Sequence, residues 1–155
     1  MKARTILLTL ATVFAAVMVC FAAEDVNMGT WKLNEAKSKL APGAVKNTTV
    51  VYAAAGDSIK VTVDGVDASG NATHNEWTGK FDGKDYPVTG DPTSDARAYR
   101  RVNAHTLAIT VKKDGKATGS GRIVVAMDGK SRTVTVNGTD AKGMKVTSVG
   151  VYDKQ

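Results

Sequence analysis

The chain has 155 residues, among them 21 Lys+Arg, 15 Asp+Glu and one cysteine, with a formal net charge of +6. One cysteine excludes an internal disulfide and any cysteine-rich metal centre, and so mild a positive excess falls well short of a nucleic-acid-binding arm. The length fits one domain, and beyond residue 22 it holds 17 Val and 15 Thr but only three Leu and three Ile, a β-branched excess that suits pleated strands.

In chain order, the first feature is a leader. Lys2 and Arg4 precede an apolar run from Ile6 to Ala23 broken only by Thr9 and Thr12, and the first acidic residue is Glu24. That three-part pattern predicts an export signal. Cys20 and Ala22 supply the small residues that cleavage requires, so 1–22 is read as signal peptide and 23–155 as the mature domain. The rival readings are an uncleaved anchor and a lipid-modified Cys20, before which stands Val19 where a small residue is preferred. Cleavage removes the only cysteine and leaves a net charge of +4. The expected location is extracytoplasmic, periplasmic or secreted, with no stable membrane insertion.

Turn signals then recur at short intervals: Gly56-Asp57, Ser69-Gly70-Asn71, Asp82-Gly83-Lys84, Gly90-Asp91-Pro92, Asn103-Ala104, Asp114-Gly115-Lys116, Asp128-Gly129-Lys130 and Ala141-Lys142-Gly143. Between them the sequence predicts strands over 28–33, 47–54, 59–64, 72–81, 86–88, 96–102, 107–112, 122–127, 133–136 and 145–152. Alternation marks their faces, with Ile59, Val61 and Val63 opposed to Lys60, Thr62 and Asp64, and Leu107, Ile109 and Val111 opposed to Ala108, Thr110 and Lys112. Asn34 is placed to cap a helical turn through Lys39, ended by Ala41-Pro42-Gly43. Gly119-Ser120-Gly121 reads as a bulge where a strand bends, and Thr89 to Asp95 is the longest polar loop. The expected fold is all-β, an antiparallel up-and-down β-barrel of about 8–10 strands with one short N-terminal helix, the alternative being a β-sandwich.

The stretch Gly29-Thr30-Trp31-Lys32-Leu33 opens the first strand, and Val151-Tyr152-Asp153-Lys154 closes the last. With a barrel between them, the chain resembles the calycin superfamily, lipocalins and fatty-acid-binding proteins, and among these the small exported bacterial lipocalin-like proteins. The resemblance implies that Gly29 and Trp31 form a barrel plug. It also maps Tyr152 onto the Tyr of the Arg-x-Tyr that clamps a lipid carboxylate, with Gly150 standing where the Arg would be. Only 13 residues separate Leu33 from Asn47, too few for the two-helix lid of the intracellular carriers. A basic residue of the last strand is expected over the plug Trp, and Lys145 is the one basic residue of the predicted strand.

Catalytic patterns are not met. His74 and His105 lack metal-ligand spacing, although His74 and Glu76 can share a strand face, and Gly119-Ser120-Gly121 is followed by Arg122 rather than completing a nucleophile elbow. The carboxylates fall mainly in turns. No cofactor is implied. Arg97, Arg100, Arg101, Lys112, Lys113 and Lys116 read as a solvated strand face. Strand parity over 96–102 puts Arg97, Tyr99 and Arg101 on one face and Ala96, Ala98, Arg100 and Val102 on the other, so a barrel wall built from this segment turns an arginine inward. The candidate ligand-binding residues are therefore Trp77, Tyr99, Arg100, Arg101 and Tyr152, with Arg100 or Arg101 receiving an acidic group. Small inward side chains are expected to leave the lumen roomy. The reading is a non-enzymatic, exported, monomeric binding protein for a small, partly apolar, anionic amphiphile; the alternative is a structural or envelope-interaction domain without ligand.

Overall fold

The computed structural model describes residues 24–140 and 142–155. The predicted leader over 1–22 and its cleavage site lie outside the described residues. Ten strands run in order: β1 Gly29–Leu33, β2 Lys46–Ala55, β3 Ser58–Val66, β4 Ala72–Gly79, β5 Tyr86–Thr89, β6 Ala96–Asn103, β7 Thr106–Lys113, β8 Lys116–Val125, β9 Ser131–Thr139 and β10 Lys145–Lys154. Each pairs antiparallel with its successor, and β1 closes onto β10 from Trp31↔Lys154 to Leu33↔Tyr152. The result is a closed up-and-down barrel rather than a sandwich. Closure gives every strand two neighbours and leaves no exposed sheet edge.

Two local features differ from expectation. The helical turn is a single 3-10 turn, Glu35–Lys37, capped by the Asn34 side chain accepting from the Lys37 N–H. It stops before Lys39 because the Lys39 backbone exchanges two hydrogen bonds of 2.7 Å with Val149 of β10. Strand β8 begins at Lys116 and runs through the two glycines read as a bulge, since Gly119 and Gly121 pair with Val111 and Ile109. The irregularity falls one step earlier, where Val111 meets Gly119 but Lys112 meets Ala117, leaving Thr118 as the extra residue. The strand ends at Val125, and Met127 is 86% exposed. The Asp114-Gly115 turn joining β7 to β8 has φ of 51° and 73°, the pair of positive values a two-residue hairpin turn needs.

Register places the buried side chains on one face of every strand. Trp31, Val50, Tyr52, Val61, Val63, Trp77, Val88, Tyr99, Leu107, Ile109, Ile123, Val125 and Tyr152 form the core, each contributing roughly 1.5–3 kcal/mol by full burial. The barrel has two unlike ends. The base carries residues 24–28, the Gly56-Asp57 and Asn103-Ala104 turns and the end of β10. The mouth carries the 3-10 turn, the β7–β8 turn and the Gly90–Asp95 loop.

Trp31 lies buried on β1 toward the base. It is 0% exposed, and its indole N–H donates to the Asn27 carbonyl at 3.0 Å. Gly29 holds φ +103°, and a Cβ there would stand 3.1 Å from Lys154 Cε, so the glycine admits both the backbone and the lysine. Lys154 Nζ lies 5.4 Å from the Trp31 ring centre, and the Arg132 guanidinium lies 4.7 Å from it. The basic cover therefore comes from Lys154 and from Arg132 of β9. Lys145 is at the mouth end of β10, the far side of the barrel from the plug.

Candidate functional site

The lumen divides into a filled half and a thin-walled half. Toward the base, Trp77 stacks its ring 6.4 Å from Phe81 and meets Tyr99 edge-on at 4.6 Å and Tyr86 at 5.7 Å, while Tyr52 lies 6.3 Å from both Phe81 and Tyr99. Such tilted and edge-to-face contacts add to the area term. Two glycines make the room. A Cβ at Gly79 would stand 2.5 Å from the Tyr86 ring, and one at Gly150 would stand 2.9 Å from the Tyr152 ring. Gly150 is thus the residue that lets the Tyr152 ring fold back over the wall of β10. The room expected of the lumen is absent in this half: aromatic residues are few in the chain, but the register gathers them here.

Toward the mouth most inward positions outside Arg97, Asn75 and Leu33 are small. The register carries Val63 and Gly65 on β3, Val111 on β7, Gly119 and Gly121 on β8, Val136 and Gly138 on β9, and Ser148 on β10. Val111, Val136 and Ser148 are partly exposed although they point inward. Solvent reaches the lumen on this side. A hollow of about 510 Å³ lies at the rim among Gly119, Gly138, Val146 and their neighbours, and a second of about 650 Å³ at the base between residues 24–26 and 101–104.

The predicted arginine parity resolves onto the odd face. Arg97, Tyr99 and Arg101 turn inward, and Arg100 is exposed on the outer face opposite Ala108, its chain lying along Gly83. Arg100 is therefore removed from the candidate site by strict strand alternation. Arg101 sits at the base rim, where it ion-pairs with Asp25 and lies 5.1 Å from the Phe81 ring. Burial opposes the charge on Asp25, but the Asn27 N–H and Arg101 outweigh it and hold this carboxyl below its usual range. Arg101 is thereby committed to fastening the segment before β1. Trp77, Tyr99 and Tyr152 are buried within the lumen, with the Trp77 indole donating to the Arg97 carbonyl at 2.8 Å.

Two arginines outside the candidate ligand-binding set lie inside the lumen. Arg132 is 2% exposed and stands within 5.1 Å of the ring centres of Trp31, Tyr52 and Tyr152; its Nε and Nη1 have no hydrogen-bond partner. Arg97 is 8% exposed, its Nε is also unpartnered, and its Nη2 reaches Asn75 Oδ1 and Asp91 Oδ2 only at 3.5 Å. Among the described residues, Asp91 is the one carboxylate within ion-pair distance of either. Burial, then the neighbouring Tyr99, pushes the Tyr52 phenol up, and burial pushes the Tyr152 phenol up, so both remain neutral O–H donors at physiological pH. Parity along β6 was the signal for Arg97. The signal for Arg132 was the alternation of Val134 and Val136 against Thr133 and Thr135, which carries Arg132 onto the apolar face once β9 begins at Ser131.

The other basic and histidine residues are placed outside. Lys112 pairs with Asp85 at 2.6 Å. His105 lies in the β6–β7 turn, its N–H on Asn103 Oδ1 at 2.9 Å. His74 stands on the outer face between Asp64, 2.7 Å from Nδ1, and Glu76, 3.7 Å from Nε2. The hydrogen bond to Asp64 raises its pKa. The folded state therefore favours the imidazolium; this contribution is complete below the ordinary histidine value and fades as pH rises through the elevated one. An NMR titration of the His74 ring is expected to give a midpoint above the ordinary value, and Asp64→Asn to lower it. A parent midpoint at or below the ordinary value contradicts this.

No protein-family model matches the chain, and no curated protein matches it. Solved structures that align with the barrel include the following two. EF1p2_mFAP2b, solved bound to DFHBI, gives a TM-score of 0.47 at 11% identity over 84% of this chain and 94% of its own. Lobster apocrustacyanin A1 gives 0.40 at 14% identity over 86% of this chain and 63% of its own. Both are likenesses of shape at low identity, and neither assigns a family.

Proposed function

We propose that the chain is an exported, non-enzymatic binding protein that holds a small, partly apolar anionic molecule in the mouth half of its barrel, in the manner of a calycin. The observation that carries this reading is Arg97, a nearly buried guanidinium with an unpartnered Nε and only long contacts from its Nη2. A buried charge is costly unless paired and hydrogen-bonded, and the lumen holds two guanidiniums against one half-buried carboxylate. An incoming carboxylate would meet Arg97 with the fork geometry guanidinium favours. The apolar remainder would lie along Val63, Val111 and Val136, where the glycines of β8 and β9 leave the wall thin. Arg132 serves the plug by covering Trp31 and adds positive potential at the lumen floor. Export rests on the leader pattern of residues 1–22.

Paired fluorescent amphiphiles, one carboxylate and one neutral alcohol of equal chain length, test the reading. The parent is expected to favour the acid by about tenfold or more, as loss of one charged partner costs a few kcal/mol. Arg97→Gln is expected to abolish that preference while leaving the alcohol's affinity unchanged. If Arg97→Gln binds the acid as tightly as the parent does, the proposed site is wrong. The ligand-free structural role is favoured if the parent binds neither probe.

A further inference from the structure

The loop from Gly90 to Asp95 lies over the site on the β4, β6 and β7 side of the mouth. It is fastened at both ends. A Cβ at Gly90 would stand 2.4 Å from the His74 carbonyl of β4, so the chain passes there in contact with that strand. At the other end Val88 N–H donates to the Asp95 carbonyl at 2.9 Å, and Asp95 N–H to the Lys112 carbonyl of β7 at 3.0 Å. Between these anchors Asp91 turns its carboxylate inward to within 3.5 Å of Arg97, and its side chain is 17% exposed. Ser94, 2% exposed, donates to Asp91 Oδ2 at 2.6 Å, and Thr93 donates through both N–H and hydroxyl to Oδ1 at 2.8 and 2.7 Å.

Asp91 is thus well served within its own loop and poorly matched to Arg97. Its oxygens have short partners in Thr93 and Ser94, while the arginine contact is long for a charge-assisted pair, which ordinarily closes to about 2.7–2.9 Å. Burial opposes its charge, but the bonds from Ser94 and Thr93 outweigh that and hold the carboxyl below its usual range. The carboxylate therefore stays ionised beside Arg97, whose charge adds to the same shift.

We infer that Asp91 is a built-in competitor for the ligand's acidic group: it occupies the anion position beside Arg97 from the mouth loop, and an acidic ligand binds by displacing it. This rests on the anion-binding reading of Arg97. It adds a specificity device, since a neutral amphiphile gains nothing by displacing Asp91 and a weak anion cannot outbid it. It also makes the Gly90–Asp95 loop the moving part of the mouth.

The same two probes test it. Asp91→Asn keeps its oxygen as the acceptor for Thr93, sets an NH2 that can donate to the Ser94 hydroxyl, and removes the competing charge; it is expected to tighten the acidic probe by about tenfold, because the probe no longer has to displace a charged partner from Arg97 before pairing with it. The neutral probe should bind unchanged. In the Arg97→Gln background, Asp91→Asn should not move the acidic probe's affinity. In the parent, the acidic probe and not the neutral one should shift the backbone amide resonances of residues 91–94. An Asp91→Asn variant that melts like the parent yet binds the acid no more tightly overturns the inference, as does an equal gain with Arg97 removed. If the variant is unfolded, the amide shifts decide: none with the acidic probe overturns it. Failure of the underlying reading is separate, because it shows in Arg97→Gln alone.

Discussion

Replacing Trp31 by Ala is expected to destabilise the barrel by about 3–5 kcal/mol, the range for truncating a large buried aromatic. Three losses act together. The indole is 0% exposed, so its removal leaves a cavity that the rigid wall of β1, β2 and β10 cannot fill. The Asn27 carbonyl loses its donor, and an unsatisfied buried acceptor is itself costly. Arg132 loses one of the three rings around its guanidinium. Thermal melting should show a drop of about 10 °C or more for a domain of this size, with Trp31→Phe in between. A Trp31→Ala variant melting within a degree or two of the parent would mean that the plug contributes nothing.

The residues that announced the barrel did so through local chemistry. The Asp-Gly turns and the period-2 alternation of 59–64 and 107–112 need no knowledge of the rest of the chain, and both stand in the structure. The β8 start was missed for the converse reason. Gly119 and Gly121 look like a break when seen alone, and only their neighbours Val136 and Gly138 on β9 make them strand. The site was legible to the same extent. Parity required an inward arginine on β6, but it could not choose the face, and the choice follows from the pairing of Tyr99 with Ile109. Arg132 lies on the face of Val134 and Val136, but only closure of β1 onto β10 sets Trp31 beside its guanidinium. Asp91 looked like a turn residue, and its turn bonds to Thr93 and Ser94 are present; its place beside Arg97 is a tertiary fact.

Gly121→Ala is expected to be among the most damaging single-methyl additions to the wall, and Gly138→Ala among the least. A Cβ at Gly121 would stand 1.9 Å from the Thr135 carbonyl oxygen and 3.0 Å from Val136 Cα, both backbone atoms of the neighbouring strand. No rotamer change relieves that contact, so β8 and β9 must part and lose ladder hydrogen bonds. The cost should match or exceed the roughly 1–3 kcal/mol usual for overpacking. At Gly138 the nearest atom, the Thr118 carbonyl oxygen, is 3.4 Å away, and the backbone is not in the left-handed region. There Ala fits, and by restricting the unfolded chain it should leave stability within about 1 kcal/mol of the parent or raise it. Urea melts of the two variants distinguish crowding at Gly121 from a general need for glycine in the mouth wall. Equal midpoints would show that β8 yields at Gly121 and that the close approach of Thr135 is not a constraint on the fold.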